Sequence, residues 1–398
     1  MAKPIAERGA LLGKIESDIP GVQVQEQPYW APPAGLDLTS RLSRVDTKFC
    51  RDVQNMMLDD GTLRSRYGCQ LLGPVGTDIM AIVGFVAPDG VGYLVRVTLT
   101  DLQQWDGSAW TTVAAGVFTG GETDYFSFAN FGTKLLMVNG VNKVFFYDSS
   151  NGSSGFLDES VPAHHITVFN NRIVLSNTVE GSRFPYRIRW SVKNDSDDWT
   201  GDGSGFEDMF GAPGGIVDET HGVFPISDET ALIVRASSVW MMGVTGNLLA
   251  PHRFSRLFKD IGTDTRRAIA EVPGGVVFPT RENIIFLSTS DIKKIGERVK
   301  HGIIDSVQAP GDPIGKYDFI RNEYRLAILD TVWRYNFNDQ GWTKDVYPFD
   351  IRDMARVEVD RFGLPIDSLV GTIDGLGATA IDDLIGVGSV QGWFFVGV

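Results

Sequence analysis

A loose repeat constrains this chain more than any other feature of its sequence. One kind of segment recurs six times: an apolar run with strand character, a turn, and a second apolar or aromatic run. The copies start roughly 40 to 60 residues apart, a spacing typical of the blades of a β-propeller. The six copies are Tyr93–Trp105, Lys134–Asp148, Arg172–Val192, Ala231–Val244, Gly275–Ser288 and Tyr324–Phe337.

The strand-like runs around these copies form six clusters, each separated from the next by Gly, Asn, Asp and Pro. The clusters cover 79–114, 125–148, 165–192, 223–258, 269–295 and 324–357. Long amphipathic helical patterns are missing between them. We therefore expect an all-β fold, a β-propeller of about six blades. A seventh would be added or closed by the runs LRSRYGCQLLG and GWFFVGV.

The charge balance disfavours a protein that grips nucleic acid. The 398 residues carry a formal net charge of −14, whereas tight phosphate contact needs clustered Lys and Arg. Two interpretations of the acidic charge stay open. Either it serves only to keep the protein soluble, or it forms a surface along which nucleic acid passes without binding. The two cysteines, Cys50 and Cys69, are too few for a disulfide-stapled secreted domain. We expect neither a secretory signal at the start nor a membrane span, since no apolar run approaches about 18 residues.

Three regions differ in composition. Residues 1–70 are rich in Pro, Gly and Gln and predict an extended arm and entry segment, with one short helix at Asp46–Leu58. Residues 71–360 carry the predicted propeller, in which 193–220 is polar enough to be an inserted loop. Residues 361–398 contain IDSL, IDGL and IDDL, starting at Ile366, Ile373 and Ile381, and end in a predicted closing strand.

The residue types that carry catalysis do not form a recognisable set. His164 and His165 are adjacent on a predicted strand and should point to opposite faces, so they should not chelate one metal. His221, His252 and His301 lack a partner at metal-ligand spacing. Neither a nucleophile elbow nor a phosphate-binding loop is present. We expect no catalytic residue, no cofactor and no metal.

Two weaker patterns each have an ordinary structural explanation. Asp195, Asp197, Asp198 and Asp202 offer oxygen ligands for calcium, but a calcium-binding loop starting at Asp198 would need a glutamate where Met209 stands. A solvated acidic loop is the favoured interpretation. The run 339–343 resembles the Asp-box turn of sialidase-type propellers, although the flanking Ser and Trp of that pattern are replaced.

Arginine pairs are the most visible basic groups. Arg64 and Arg66 lie in GTLRSRYG, and Arg266 adjoins Arg267. Such pairs bind phosphate or carboxylates of another subunit, or they form ordinary surface ion pairs. With Asp59 and Asp60, the first pair is our candidate for a contact between subunits.

Three segments together resemble a known family. They are DVQNMMLDDGTLRSRYG (Asp52–Gly68), the run Asn171–Thr200 with the ALIVRASSVWMMGV segment that follows, and the IDSL/IDGL/IDDL tail. The combination is similar to the tail nozzle, or tail tubular, proteins of short-tailed bacteriophages. The likeness covers about 50–390, and its motifs are diffuse when taken singly.

The resemblance implies a function. It implies a β-propeller virion protein that forms a homo-oligomeric ring, expected to be a hexamer, below the portal and adaptor. Genomic DNA would pass through the ring without tight binding. The protein would be assembled in the cytoplasm of the bacterial host and end in the virion tail. The family supplies no catalytic residues to carry over.

Two other classes stay open. One is a tail-associated glycan hydrolase, against which stands the single degraded Asp-box. The other is a receptor-binding propeller module, which the sequence does not distinguish from a ring subunit.

Overall fold

The computed structural model describes residues 34–41, 44–66, 71–73, 76, 78–210, 218–307, 312–359 and 390–397. Ahead of the blades, β1 (Met56–Asp59) and β2 (Thr62–Ser65) form a hairpin. Six four-stranded antiparallel sheets follow in chain order. Each is a meander in which every strand pairs with the next, so the predicted all-β propeller of six blades is confirmed.

The first three blades cover 79–208. Blade 1 consists of β3 (Ile79–Val86), β4 (Gly92–Thr98), β5 (Leu102–Trp105) and β6 (Trp110–Ala114). Blade 2 consists of β7 (Ser127–Phe131), β8 (Lys134–Val138), β9 (Phe145–Asp148) and β10 (Ser154–Phe156). Blade 3 consists of β11 (Ala163–Phe169), β12 (Arg172–Glu180), β13 (Ser182–Trp190) and β14 (Gly205–Asp208).

The last three blades cover 220–346. Blade 4 consists of β15 (Thr220–Ser227), β16 (Thr230–Arg235), β17 (Ser238–Val244) and β18 (His252–Lys259). A 3-10 turn (Arg266–Ala268) leads into blade 5: β19 (Ala270–Val272), β20 (Gly275–Pro279), β21 (Ile284–Leu287) and β22 (Ile292–Lys294). Helix α1 (Lys300–Val307) precedes blade 6: β23 (Ile314–Asp318), β24 (Glu323–Ile328), β25 (Thr331–Asn336) and β26 (Gly341–Val346).

A two-stranded sheet completes the ring of blades. It pairs β27 (Ile351–Val359) with β28 (Val390–Gly397), the strand that contains GWFFVG. On one side Ile351 and Met354 pack into a buried cluster with blade 6. On the other side Ala355 and Val396 pack with Ile82 of blade 1. We call this pair of strands the closing sheet, because it fills the gap between the last blade and the first.

The core is divided among the contacts between neighbouring sheets. Each pair of neighbours around the ring has its own cluster of buried apolar side chains. The second strand of a blade therefore has apolar neighbours on both faces, and all six residues of β24 are buried. This arrangement explains why the repeated sequence segments are continuous apolar runs. Each of the six copies coincides with the second and third strands of one blade.

The segment before the blades lies along the outer edge of blade 6. The Leu36 amide donates to the carbonyl of Trp342 in β26 at 2.8 Å, and the Asn55 amide donates to that of Lys344 at 2.9 Å. Leu36 and Val53 are buried with the side chains of blades 5 and 6. An exposed edge strand is prone to pairing with other chains. The described parts of 34–58, which are 34–41 and 44–58, cover part of that edge.

Three details differ from the sequence predictions. The predicted helix Asp46–Leu58 is wrong, since its last residues form β1 and those before it are irregular. The predicted loop 193–220 contains β14, the outer strand of blade 3. Blade 6 begins earlier than predicted, at Ile314, and residues 351–357 belong to the closing sheet instead. Residues 1–33 of the predicted arm and the IDSL/IDGL/IDDL repeat lie outside the described residues.

Candidate functional site

The sheets converge on a pocket at the propeller axis. Its wall combines the first strand of every blade with β27, and it has a volume of about 450 Å³. Phe319, which lines it, is 60% exposed, so this part of the pocket opens to solvent. Ligand pockets of proteins commonly measure about 300–1,000 Å³. We call this space the axial pocket, and it is the candidate site.

Arg266 and Arg267 enter the axial pocket from the 3-10 turn before blade 5. Arg267 is closely held: it donates to the carbonyl of Arg352 at 2.6 Å, lies 3.5 Å from Asp353 and 3.7 Å from Asp312, and stacks on the Tyr125 ring at 4.0 Å. Asp353 also accepts the Ile82 amide at 3.0 Å. Arg267 therefore ties blades 5 and 6 to the closing sheet.

Arg266 has a different environment. Its Nη1 donates to Nδ1 of His164 at 2.8 Å, across the pocket from blade 5 to blade 3. That geometry makes Nδ1 the acceptor and requires a neutral imidazole. Burial, reinforced by the Arg266 charge, lowers the pKa of His164 to about 4. The pair is thus a cation held by a neutral ring.

His164 and His165 lie on opposite faces of β11, as the sequence predicted. The His164 ring packs against Gly140 of blade 2, so closely that a Cβ there would come within 2.3 Å of it. The His165 ring packs against Phe224 of blade 4, with ring centroids 5.1 Å apart. Burial lowers the pKa of His165 to about 4, and it also lowers that of His221. Among the described residues, no group of three or more His, Cys, Asp or Glu is placed to hold a metal ion.

Two carboxyl groups line the axial pocket, those of Asp353 and Glu271. Asp353 pairs with Arg267, whereas Glu271 has no arginine within ion-pair distance among the described residues. The side chain of Glu271 is exposed, and the surface that it presents lies inside the pocket. Partial desolvation by the pocket walls raises the pKa of its carboxyl to about 7. Near neutral pH, Glu271 therefore exists in both protonation states.

The acidic loop between β13 and β14 uses its carboxylates locally. Asp195 accepts the Asp197 amide at 2.8 Å, and Asp198 accepts the Gly201 amide at 2.7 Å. Asp197 lies 3.1 Å from the Lys134 ammonium. These oxygens close turns and one ion pair, which accords with the favoured interpretation of a solvated acidic loop.

The Asp-box-like run forms the turn between β25 and β26. Asp339 accepts the amide of Gly61, at the tip of the β1–β2 hairpin, at 2.9 Å. This turn is on the outer side of blade 6 and is not part of the axial pocket. Its role in the described structure is to anchor the hairpin.

The four candidate subunit-contact residues divide into two groups. Asp59, Asp60 and Arg64 lie in the β1–β2 hairpin, where Arg64 is exposed and pairs with Asp59 at 3.0 Å. Arg66 faces its own chain: it donates to Asn55 Oδ1 at 2.8 Å and lies 4.5 Å from the Tyr347 ring centroid. The hairpin tip remains the candidate for contact with another subunit, whereas Arg66 has a role within the chain.

Several buried arginines that the sequence analysis did not single out tie strands together. Arg325 lies 3.0 Å from Asp318 and 3.1 Å from Glu323, all three being buried in blade 6. Arg235 lies 3.4 Å from Asp218 beside blade 4. A signal was available: these arginines interrupt otherwise apolar runs such as YRLAIL and ALIVR. A buried charge needs a partner.

Comparisons with known proteins bear on the fold alone. No family model matches the sequence, and a search of curated proteins finds no match. Among solved structures, the chain is similar to one in "Crystal Structure of Mitotic Checkpoint Complex", with a TM-score of 0.45, 11% identity, and coverage of 70% of this chain and 84% of that chain. It is also similar to "Crystal structure of RRP9 WD40 repeats", with a TM-score of 0.48, 10% identity, and coverage of 72% and 86%. The strand topology establishes the propeller independently of these likenesses.

None of the described helices is long and apolar enough to cross a membrane.

Proposed function

We propose that this protein is a structural subunit of a bacteriophage-type tail, one that assembles with copies of itself into a ring through which DNA is ejected. The sequence resemblance of Asp52–Gly68, Asn171–Thr200 and the IDSL/IDGL/IDDL tail supplies the proposal. Its expected partners are identical subunits, in a hexamer, and the portal, adaptor or other tail proteins next to the ring.

The surface observation that carries the proposal is an apolar rim on blades 3 and 4. Phe206 and Phe210 are 51% and 68% exposed, and Leu248 and Leu249 are 59% and 72% exposed. Phe206 lies in β14, and the loop that leads into this strand contacts the loop that carries Leu248, since a Cβ on Gly203 would lie 2.7 Å from the Leu248 carbonyl. Clustered exposed apolar side chains mark interaction surfaces far more often than single ones do.

One aromatic side chain of the rim, Phe206, packs against a paired arginine. The guanidinium of Arg187, in β13, lies 4.0 Å from the Phe206 ring centroid. It also pairs at 2.7 Å with Asp208, which belongs to the same strand as Phe206, β14. Phe206 is therefore fixed in its exposed position before any partner arrives. A contact made by a preorganised aromatic side chain loses little conformational entropy on binding.

The oligomeric state tests the proposal. Native mass spectrometry and negative-stain electron microscopy should give a closed ring with a central hole. The double variant Phe210→Ser, Leu249→Ser should shift the population towards smaller species. The matched control is Val86→Ser, which removes an apolar side chain that is 54% exposed on blade 1. A wild-type protein that stays monomeric at every concentration it tolerates would contradict the proposal.

Weak DNA binding is a second expectation. A net charge of −14 per subunit, multiplied around a ring, opposes adhesion of the phosphate backbone. The purified protein should flow through a DNA column at about physiological salt. Tight retention would mean that the protein grips DNA. Release of reducing sugars from host envelope glycans would instead favour the hydrolase alternative.

A further inference from the structure

The axial pocket is basic although the chain is acidic. Four side chains with cationic groups line it, and two side chains with carboxyl groups do. The cationic residues are Arg266, Arg267, Lys316 and Arg356, and the acidic ones are Glu271 and Asp353. Asp353 is already held by Arg267. The balance of the lining side chains is therefore positive, the reverse of the charge of the whole chain, although Asp312 and Asp318 behind the lining lie 3.7 Å from Arg267 and 3.9 Å from Arg356.

Arg266 is a largely enclosed cation of the pocket that has no ion pair of its own. The two carboxylates whose charges act on it most favourably are each held by another arginine, Asp312 by Arg267 at 3.7 Å and Glu219 by Arg183. Within the described chain, Arg266 has no carboxylate within ion-pair distance. A guanidinium carries five N–H donors, and the only hydrogen-bond acceptor that the described residues offer this one is His164 Nδ1.

Enclosing the charge of Arg266 without a carboxylate partner costs free energy unless a ligand pairs with it. Burial lowers the pKa of Arg266, which means that the pocket disfavours its charged form, and Arg267 beside it adds repulsion. A buried cation is normally paired. The pocket keeps the donors of Arg266 in reach of a 450 Å³ space, with His164 fixing the side chain from the opposite side.

The size and the walls of the pocket indicate what would fit. A volume of 450 Å³ is too large for a lone ion and suits a small organic molecule. Aromatic side chains line it beside the cations, among them Tyr125, Phe126, Phe224 and Tyr317. A guanidinium matches the two oxygens of a carboxylate or a phosphate with parallel hydrogen bonds.

We propose that the axial pocket is a binding site for a small organic oxyanion, whose carboxylate or phosphate group pairs with Arg266. His164 is the positioning residue that holds the guanidinium, and the aromatic walls contact the rest of the ligand. The site does not depend on ring assembly: it is built within one chain, so either proposal can fail without the other.

Three sugars of similar size provide the test by isothermal titration calorimetry. Glucuronate carries a carboxylate, glucose 6-phosphate carries a phosphate, and glucose carries neither. We expect at least one of the two anions to bind wild-type protein at least about tenfold more tightly than glucose. The stronger anion identifies the class of oxyanion. If neither anion binds more tightly than glucose, the proposal is overturned.

Variants locate the site. Arg266→Gln removes the charge but keeps an amide that can donate to His164, and it should remove the preference for the anion. The matched control is Arg281→Gln, which removes an exposed arginine paired with Asp264 at 2.7 Å. It should leave binding unchanged. Equal loss in both variants, or no loss in Arg266→Gln, would overturn the proposal.

A readout on the wild-type protein guards against a variant that fails to fold. In a histidine-labelled sample, the NMR signal of His164 should shift on saturation with the anion. That of the exposed His301 should stay in place. Binding that leaves His164 unmoved places the anion elsewhere and overturns the assignment.

Discussion

At the scale of single residues, several buried charged side chains in this protein tie strands or sheets together. Arg325 bridges two buried carboxylates, and Arg267 joins blades 5 and 6 to the closing sheet. Removing one partner of such a buried group costs about 3–5 kcal/mol, because it leaves the other charge uncompensated. Arg266 stands apart from these ties, since its hydrogen bond is to a neutral histidine.

A substitution at Gly140 tests how tightly His164 is held. Gly140 has a φ of +82°, and an alanine Cβ would meet the His164 ring at 2.3 Å. Gly140→Ala should therefore add a clash to the cost of the left-handed backbone, about 2–4 kcal/mol in total. Gly132→Ala is the control, because Gly132 has a φ of +59° but nothing within 4 Å of its Cβ position. Urea unfolding should show the smaller loss, about 1 kcal/mol, in the control. Equal losses would mean that the His164 ring moves freely.

The buried histidines predict acid sensitivity. Burial lowers the pKa values of His164, His165 and His252 to about 4. In the unfolded chain the histidine pKa values are near 6.5, so between about pH 6.5 and pH 4 the unfolded chain binds protons that the folded chain does not. The contribution of these histidines to the free energy of unfolding should therefore be full above about pH 6.5 and be lost as the pH falls towards 4. Glu271 acts in the opposite sense, because its raised pKa of about 7 favours the folded state at low pH. Three groups outweigh one, and the net slope should follow the histidines.

The measurement is the free energy of unfolding in urea as a function of pH. His252→Phe is the informative variant, because the ring lies between Phe169 and Trp190 and its replacement keeps an aromatic shape. The variant should reduce the loss of stability between about pH 6.5 and pH 4 by up to about 3 kcal/mol. A wild-type protein that gains stability on acidification through this range would show that the histidines are protonated in the folded state.

At the scale of elements, the sequence predicted the central strands of every blade but missed the outer strands of blades 2 and 3, which are β10 and β14, and the first strand of blade 6, β23. Central strands are buried along their whole length and mostly apolar because blades pack on both of their faces, as in β24, where all six residues are buried. The missed outer strands β10 and β14 are short and have no fully buried residue, so no apolar run marks them in the sequence. The axial pocket was beyond prediction for another reason. Arg266 was visible in the sequence, but His164 is 102 residues away and only ring closure brings them together.

The segment before the blades should stabilise blade 6. Leu36, Val53, Met57 and Leu58 are buried in the described structure, and each such side chain contributes about 1.5–3 kcal/mol. Deletion of residues 1–66 should therefore lower the unfolding midpoint strongly and promote self-association through the uncovered edge of β26. Deletion of 1–33 removes none of the described contacts and serves as the control. Light scattering and thermal unfolding compare the two. Equal behaviour of both deletions would show that blade 6 does not need its cover.

At the scale of the whole molecule, closure of the ring depends on the chain's last strand. Six blades leave a gap between blade 6 and blade 1, and β27 fills its inner part, beside β3. β28 pairs with β27 along its length, and Val396 is buried in the cluster shared with blade 1. The two ends of the ring are therefore joined by side-chain packing on both faces of one hairpin.

The register of β27 and β28 makes it possible to test the closing sheet separately from the segment that connects its two strands. Val359 and Val390 are direct partners across β27 and β28, so residues 360–389 connect two adjacent strand ends. Replacing them with Asn-Gly, the preferred two-residue hairpin turn, should leave the thermal midpoint within a few degrees of wild type. Ending the chain at residue 389 instead removes β28 and its contacts with blades 1 and 6. That truncation should cost on the order of 5 kcal/mol, a large part of the stability of a domain, and broaden the unfolding transition. Calorimetry on the two variants decides the matter: if the truncated chain unfolds as cooperatively and at the same temperature as the Asn-Gly variant, the six blades close without the last strand.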